Sequence, residues 1–183
     1  MNKSTRKIVL AGLIAALYAA LTIALAPISF ANIQCRVSEA LTVLPILIPE
    51  AIPGLTLGCL ISNTWGLSSG VTMIWDVIFG TLATLLASVG SYLLRNKTVR
   101  IPVPVLEKSR IRVKRSQVPL LSALCPVVAN AVIVGLVLSL SFNLPLLLTM
   151  LEVGIGEISA VLVGIVLLPL LQRALAGFMK GNH

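Results

Sequence analysis

Residues 36–63 read RVSEALTVLPILIPEAIPGLTLGCLISN, and how often they cross a bilayer decides the fold. The apolar part Val37–Pro49 is thirteen residues long and carries Pro45 and Pro49, and the next, Ile52–Leu67, opens on Pro53–Gly54. Each is short against the ~20 residues that a spanning α-helix needs. They form either two short spans or a re-entrant hairpin, and both choices leave the downstream orientation the same. Four longer apolar runs surround them: Ile8–Ala26, Met73–Leu94, Pro119–Leu140 and Leu148–Leu171.

The whole chain agrees with this membrane reading. Its 183 residues are 57% hydrophobic and 11% charged, with a mean hydropathy of +1.04. A soluble domain of this size cannot hide that much apolar surface, so the expected class is an all-α integral membrane protein. The length suits a single membrane domain over residues 1–183, one compact bundle without an appended soluble domain. The run from Ile8 is longer than a signal-peptide core and further spans follow it, which predicts an uncleaved first span.

The formal charge of +8 is not a nucleic-acid signature. Eight of the fourteen Lys and Arg lie between Arg95 and Arg115, and Lys3, Arg6 and Lys7 precede the first apolar run. Basic clusters that flank apolar spans are topology signals. They place the N-terminus, the basic loop 95–117 and the tail with Arg173 and Lys180 on the cytoplasmic side. Six crossings satisfy all three assignments, and an odd number breaks them. The expected architecture is a bundle of six transmembrane helices.

Five of the six acidic residues, Glu39, Glu50, Asp76, Glu152 and Glu157, lie inside or at the ends of apolar runs; Glu107 is the exception. A carboxylate at bilayer depth costs roughly 2.5–3.5 kcal/mol even on the lenient insertion scale, so it faces a bundle interior, a partner or a ligand. The six-span topology puts Glu39, Asn63, Asp76, Glu152 and Glu157 in the outer half, with Asn130 about midway. Glu50 alone falls on a cytoplasmic turn. A pocket open to the outside fits this distribution better than a continuous pore.

Each candidate has a structural reading beside the functional one. Ser38 is placed to cap a helix start and Arg36 to pair with Glu39. Alternatively, the Glu39 carboxylate takes two parallel N–H donors of a ligand. Gly54, Gly58 and Ser62 recur at intervals of four, the spacing of close helix packing. The Asn63 amide is satisfied either by a neighbouring helix or by a ligand of mixed donors and acceptors. Trp65 and Trp75 are either interfacial anchors or a stacking wall for a flat heterocycle beside Asp76. Gly154 and Gly156 let a backbone approach a ligand closely, and Glu157 is preferred over Glu152 as the binding carboxylate. The first span repeats Ala11-xxx-Ala15-xxx-Ala19 and, offset by one, Gly12-xxx-Ala16-xxx-Ala20. Such smooth faces pack inside a bundle or dock onto a separate membrane subunit.

Other chemistries are missing. The chain contains no G-x-x-x-x-G-K-[ST] run, and its only histidine is the terminal residue His183. P-loop ATP hydrolysis, Ser-His hydrolysis and histidine-ligated metal sites are therefore excluded, and no enzyme activity is expected. Cys35, Cys59 and Cys125 are odd in number and widely separated, which fits apolar filler rather than a disulfide framework or zinc site.

The run Arg36-Val-Ser38-Glu39-Ala-Leu-Thr-Val-Leu-Pro45 and the following Pro49-Glu-Ala-Ile-Pro53-Gly54-Leu-x-x-Gly58-Cys59-x-x-x-Asn63 resemble the QueT family. So do Asp76-Val-Ile-Phe-Gly80-Thr-Leu-Ala-Thr-Leu-Leu, Asn130 and Gly156-Glu157. These are the substrate-binding membrane (S) components of bacterial energy-coupling factor (ECF) transporters assigned to queuosine precursors. The resemblance implies a six-helix S component in the bacterial cell membrane, with both termini cytoplasmic and an outward-facing pocket. It implies a 7-deazaguanine ligand, a transmembrane T component and two cytosolic ATPases that use the ATP, so the chain itself needs no cofactor. It also implies that Ala11, Ala15 and Ala19 meet the T component. The expected ligand residues are Glu39, Asn63, Trp65, Trp75, Asp76, Asn130 and Glu157. Two alternatives stay open: an S component for another vitamin or nucleobase-like ligand, and a cation-coupled secondary carrier.

Overall fold

The computed structural model describes residues 2–30, 36–96, 100–102 and 117–179. Cys35, most of the basic loop 95–117, Lys180 and His183 lie outside the described residues. Helix α1 covers Lys3–Ala24 and passes through Leu25 into a single turn, α2, over Ala26–Ser29, with Pro27 in its first turn. A 3₁₀ helix follows over Val37–Ile46, then α3 over Ala51–Ser68. One π turn, Asp76–Gly80, leads into α4 over Thr81–Leu94. Two three-residue strands, β1 (Arg100–Pro102) and β2 (Gln117–Pro119), pair antiparallel, after which come α5 (Leu120–Phe142) and α6 (Leu146–Met179).

Four of these helical stretches are long and apolar enough to cross a membrane: Lys3–Ala24, Asp76–Leu94, Leu120–Phe142 and Leu146–Leu175. The segments that the sequence leaves ambiguous are different in kind. Val37–Ile46 is a 3₁₀ helix in which every residue from Ser38 to Ile46 is buried. Irregular backbone survives at membrane depth only where protein surrounds it, and this stretch is surrounded. It packs on α1, α4 and α6. In α3, Asn63, Thr64 and Trp65 dilute an otherwise apolar helix.

Two small-residue seams set the close helix spacings. Cβ atoms added at Gly54 and Gly58 of α3 would lie 2.8 Å from the Ala11 carbonyl oxygen and 2.9 Å from that of Ala15. Ser62 turns its hydroxyl back to the Gly58 carbonyl at 2.8 Å, so the expected four-residue repeat is a packing seam against α1. On the other side, Gly164 of α6 lies directly against the Ala40 backbone. The apolar core between them joins Leu10, Ile14 and Tyr18 of α1 to Leu41 and Leu44 and to Leu55 and Cys59 of α3.

The turn between α5 and α6 is tightly specified. Asn143 adopts the left-handed conformation (φ 53°), which Asn tolerates better than most residues. The Ser139 hydroxyl donates to the Leu144 carbonyl at 2.7 Å, and the Leu144 N–H returns to the Ser139 carbonyl. Pro145 then starts the reverse helix where its missing N–H has no intrahelical partner to lose.

Candidate ligand site

A cavity of about 370 Å³ opens at the end of the bundle where α3 passes to α4 and α5 to α6. Phe30, Asp76, Phe142, Thr149 and Glu152 are among its lining residues. This volume is within the range of small-molecule sites. Asp76 and Glu152 supply its carboxylates; of the two, Asp76 also accepts the Met73 N–H through Oδ2 at 2.9 Å, a bond that closes the turn before the π segment. The wide π turn brings Gly80 against α3, where a Cβ would lie 2.9 Å from the Asn63 amide nitrogen.

Several further polar groups are buried in the bundle without belonging to the cavity lining. Asn63 is fully buried, donates from Nδ2 to the Asp76 carbonyl at 3.0 Å, and leaves Oδ1 without a partner. Glu39, 2% exposed, accepts the Tyr18 hydroxyl on Oε1 while Oε2 has no partner. Glu157, 6% exposed, accepts from Asn130 Nδ2 at 2.8 Å on Oε1, and its Oε2 is again unpartnered. Arg36 stands within electrostatic reach of Glu39 and Asp76, and Glu157 within reach of both Glu39 and Arg36. Three acidic side chains and one guanidinium share this region, and three oxygen atoms from three elements have no hydrogen-bond partner. Buried acceptors of this kind are otherwise paired in native proteins.

The structure corrects several expectations. Arg36 makes no ion-pair contact with Glu39; its guanidinium lies 5.4 Å from the Phe30 ring centroid, a cation–π arrangement. Ser38 does not cap the helix start, because its hydroxyl accepts from Thr22 at 2.7 Å. Trp65 and Trp75 do not form a joint wall. Trp65 stacks on Phe30, centroids 6.4 Å apart, behind the cavity, whereas Trp75 is 53% exposed and leans on Phe79. Phe30 and Phe142 are the aromatic rings that line the cavity.

Glu152, set aside in favour of Glu157, lines the cavity itself, one and a half helical turns before the buried Glu157. Tyr18 also escaped the sequence reading. Its position between Ala15 and Ala19 was the available signal, because a tyrosine on a small-residue face needs a buried hydroxyl partner. Among the described residues, no three His, Cys, Asp or Glu side chains gather as metal ligands.

The alanine repeat is also resolved by packing. Ala15 and Ala19 are buried and Ala11 half-buried, on the face of α1 that meets Gly54 and Gly58. They therefore do not form a free docking face. Gly12, Ala16 and Ala20, the offset repeat, are the exposed ones.

The QueT transporter family matches over residues 8–173, nearly the whole chain. The chain belongs to the QueT transporter family. No curated protein and no solved structure matches it. Membership implies an S component, the subunit of a QueT transporter that binds the substrate, and the apolar helices agree with a multi-pass membrane protein. The QueT match covers every residue that lines the cavity and the three residues with unpartnered buried oxygens.

Proposed function

We propose that this chain is the S component of an ECF-type importer that captures a 7-deazaguanine queuosine precursor from outside the cell. The observation that supports this reading best is the set of unpartnered buried oxygens, Glu39 Oε2, Asn63 Oδ1 and Glu157 Oε2, in the bundle whose cavity is lined by Asp76 and Glu152. A 7-deazaguanine presents adjacent N–H donors along one edge, which match a carboxylate held in place by a second hydrogen bond. Tyr18 holds Glu39 in this way, and Asn130 holds Glu157. A cationic aminomethyl substituent takes Asp76 or Glu152 of the cavity wall as its partner. Phe30, backed by Trp65, offers a face for the ring.

In this reading the two short segments count as crossings, giving six. The 3₁₀ segment of ten residues extends roughly 20 Å at 2.0 Å per residue, and its burial spares it contact with lipid. The basic termini and the 95–117 loop face the cytoplasm, so the cavity faces outward. A T component and two ATPases supply the movement and the ATP hydrolysis. An S component for another vitamin or nucleobase-like ligand is the nearest alternative; a cation-coupled carrier would instead use the buried Glu39 and Glu157 as titrating sites.

The test is thermal stability of the detergent-purified chain with a panel of deazapurines, nucleobases and vitamins. A true ligand at about 100 times its Kd adds ~2.7 kcal/mol of stability. A shift confined to 7-deazaguanines is the expected result, and a larger shift with an unrelated vitamin would reassign the substrate. A second expectation concerns assembly. Ala16→Leu, on the exposed face of α1, should leave that ligand shift intact and abolish co-purification with the T component. Normal co-purification would remove the Gly12–Ala16–Ala20 face from the proposed interface.

A further inference from the structure

Asp76 reaches the cavity from a backbone that α3 holds at two points, both of them on Asn63. The Thr72 hydroxyl donates to the Asn63 carbonyl at 3.1 Å, and Asn63 Nδ2 donates to the Asp76 carbonyl at 3.0 Å. The same nitrogen meets Cys59 Sγ at 3.4 Å, one turn back on α3, which sets the orientation of the amide. Gly80, at the far end of the π turn, presses on this amide, so a Cβ there would lie 2.9 Å from Asn63 Nδ2. π turns are rare and occur mostly as single turns inside helices, often at functional sites. One residue of helical register is a rotation of about 100°. With Ala83, Thr84 and Ala87 of α4 fixed in the core, any change in the π turn therefore re-aims Asp76.

We infer that Asp76 is the residue that selects a positively charged ligand group, and that Asn63 and Gly80 are positioning residues that aim it. The inference rests on the 7-deazaguanine reading above and chooses Asp76 over Glu152 as the partner of the aminomethyl group. Asp76 is 5% exposed, lines the cavity, and forms no ion pair among the described residues. Its Oδ2 is held by the Met73 N–H at 2.9 Å, so side chain and backbone are both fixed before a ligand arrives. Arg36 lies within electrostatic reach, but its guanidinium is placed on the Phe30 ring. Glu152 shares the cavity wall and is more exposed. A carboxylate shielded from water and held in one place pairs with a cation more strongly than a solvated one. The part Asn63 plays here runs through its nitrogen and the Asp76 backbone.

The experiment measures, by titration calorimetry on the detergent-purified chain, the Kd of 7-aminomethyl-7-deazaguanine and of its uncharged counterpart 7-methyl-7-deazaguanine. The wild-type chain should prefer the charged compound about tenfold or more, the scale of a charge-assisted hydrogen bond. Asp76→Asn should lose that preference. Gly80→Ala, whose Cβ pushes the amide off the Asp76 carbonyl, and Asn63→Leu, which removes the donor, should each lose most of it. Binding of the 7-methyl compound reports that each variant is folded. A direct contact between Asn63 and the ring would lower both affinities alike, so their ratio isolates the aim of Asp76. A preference that survives in both Gly80→Ala and Asn63→Leu overturns the positioning role. A preference kept in Asp76→Asn and lost in Glu152→Gln overturns the assignment of the cation to Asp76. Equal affinities in the wild-type chain overturn the inference while leaving the importer reading in place. If neither compound binds the wild-type chain, the 7-deazaguanine reading falls, and this inference with it.

Discussion

Glu157→Gln is expected to weaken ligand binding by about 1.5–3 kcal/mol, the scale of a hydrogen bond to a charged group. That corresponds to a loss of roughly 10- to 150-fold in Kd. The substitution is informative because it changes so little else. The amide oxygen of Gln can still accept from Asn130, which holds Glu157 at 2.8 Å. The unpartnered Oε2, however, becomes an N–H₂ group, a donor where a donor-rich ligand needs an acceptor. Glu39→Gln makes the same exchange opposite Tyr18 and is expected to have a comparable effect. Titration calorimetry or ligand-dependent melting measures both. Unchanged affinity in the two variants would show that these carboxylates serve only helix packing, and the proposed recognition would have to move to Asp76 and Glu152.

The largest expected effect on stability is at Gly164, where α6 crosses the buried 3₁₀ helix. A Cβ there would overlap the Ala40 carbonyl oxygen and come within 3.1 Å of the Val43 side chain. The obstacle is backbone, and that backbone is buried on all sides, so it has nowhere to relax. Gly164→Val should destabilise the bundle by about 3 kcal/mol, the upper part of the usual range for overpacking. Gly154→Ala, nearly three turns earlier on the same helix, is the control. Its Cβ would meet only Ala131 at 3.6 Å, an ordinary contact, and Ala is the better helix former. Unfolding in detergent with increasing denaturant compares the two. Equal midpoints would mean that α6 and the 3₁₀ helix are not in the close contact described.

The effect at Gly164 also bears on function. The 3₁₀ helix carries Glu39, and α6 carries Glu157 and Glu152, so their crossing sets how far apart the carboxylates stand. A substitution that forces the crossing apart should weaken ligand binding as well as stability. Glu157→Gln, which leaves the crossing intact, should alter binding with little effect on the unliganded melt.

How much of this was legible beforehand differs from residue to residue. The acids were conspicuous because a carboxylate inside an apolar run is costly wherever it points. That argument needs only the sequence, and it located Glu39, Asp76, Glu152 and Glu157 without any fold. It preferred Glu157 to Glu152 on the small residues beside it, yet Glu152 is the one that lines the cavity, because their roles depend on which side of α6 meets α5 and which meets the cavity. The two indoles misled for a related reason. Trp65 and Trp75 bracket one loop in sequence, yet that loop turns Trp65 onto Phe30 and leaves Trp75 exposed. Likewise the two interleaved small-residue repeats of α1 are equally smooth. Only contact with Gly54 and Gly58 shows that Ala15 and Ala19 are used inside the bundle and that Gly12, Ala16 and Ala20 remain outside.

By itself the sequence determined that this is a helical membrane protein with costly acids inside its apolar runs, because hydropathy and charge placement are local properties of a chain. The tertiary structure decided which oxygens are left without donors, which aromatic rings line the cavity, and which face of α1 is free. Those are properties of pairs of elements, set by the small distances at which helices cross. A one-residue change in the facing register exchanges a buried alanine for an exposed one, and neither hydropathy nor spacing distinguishes the two.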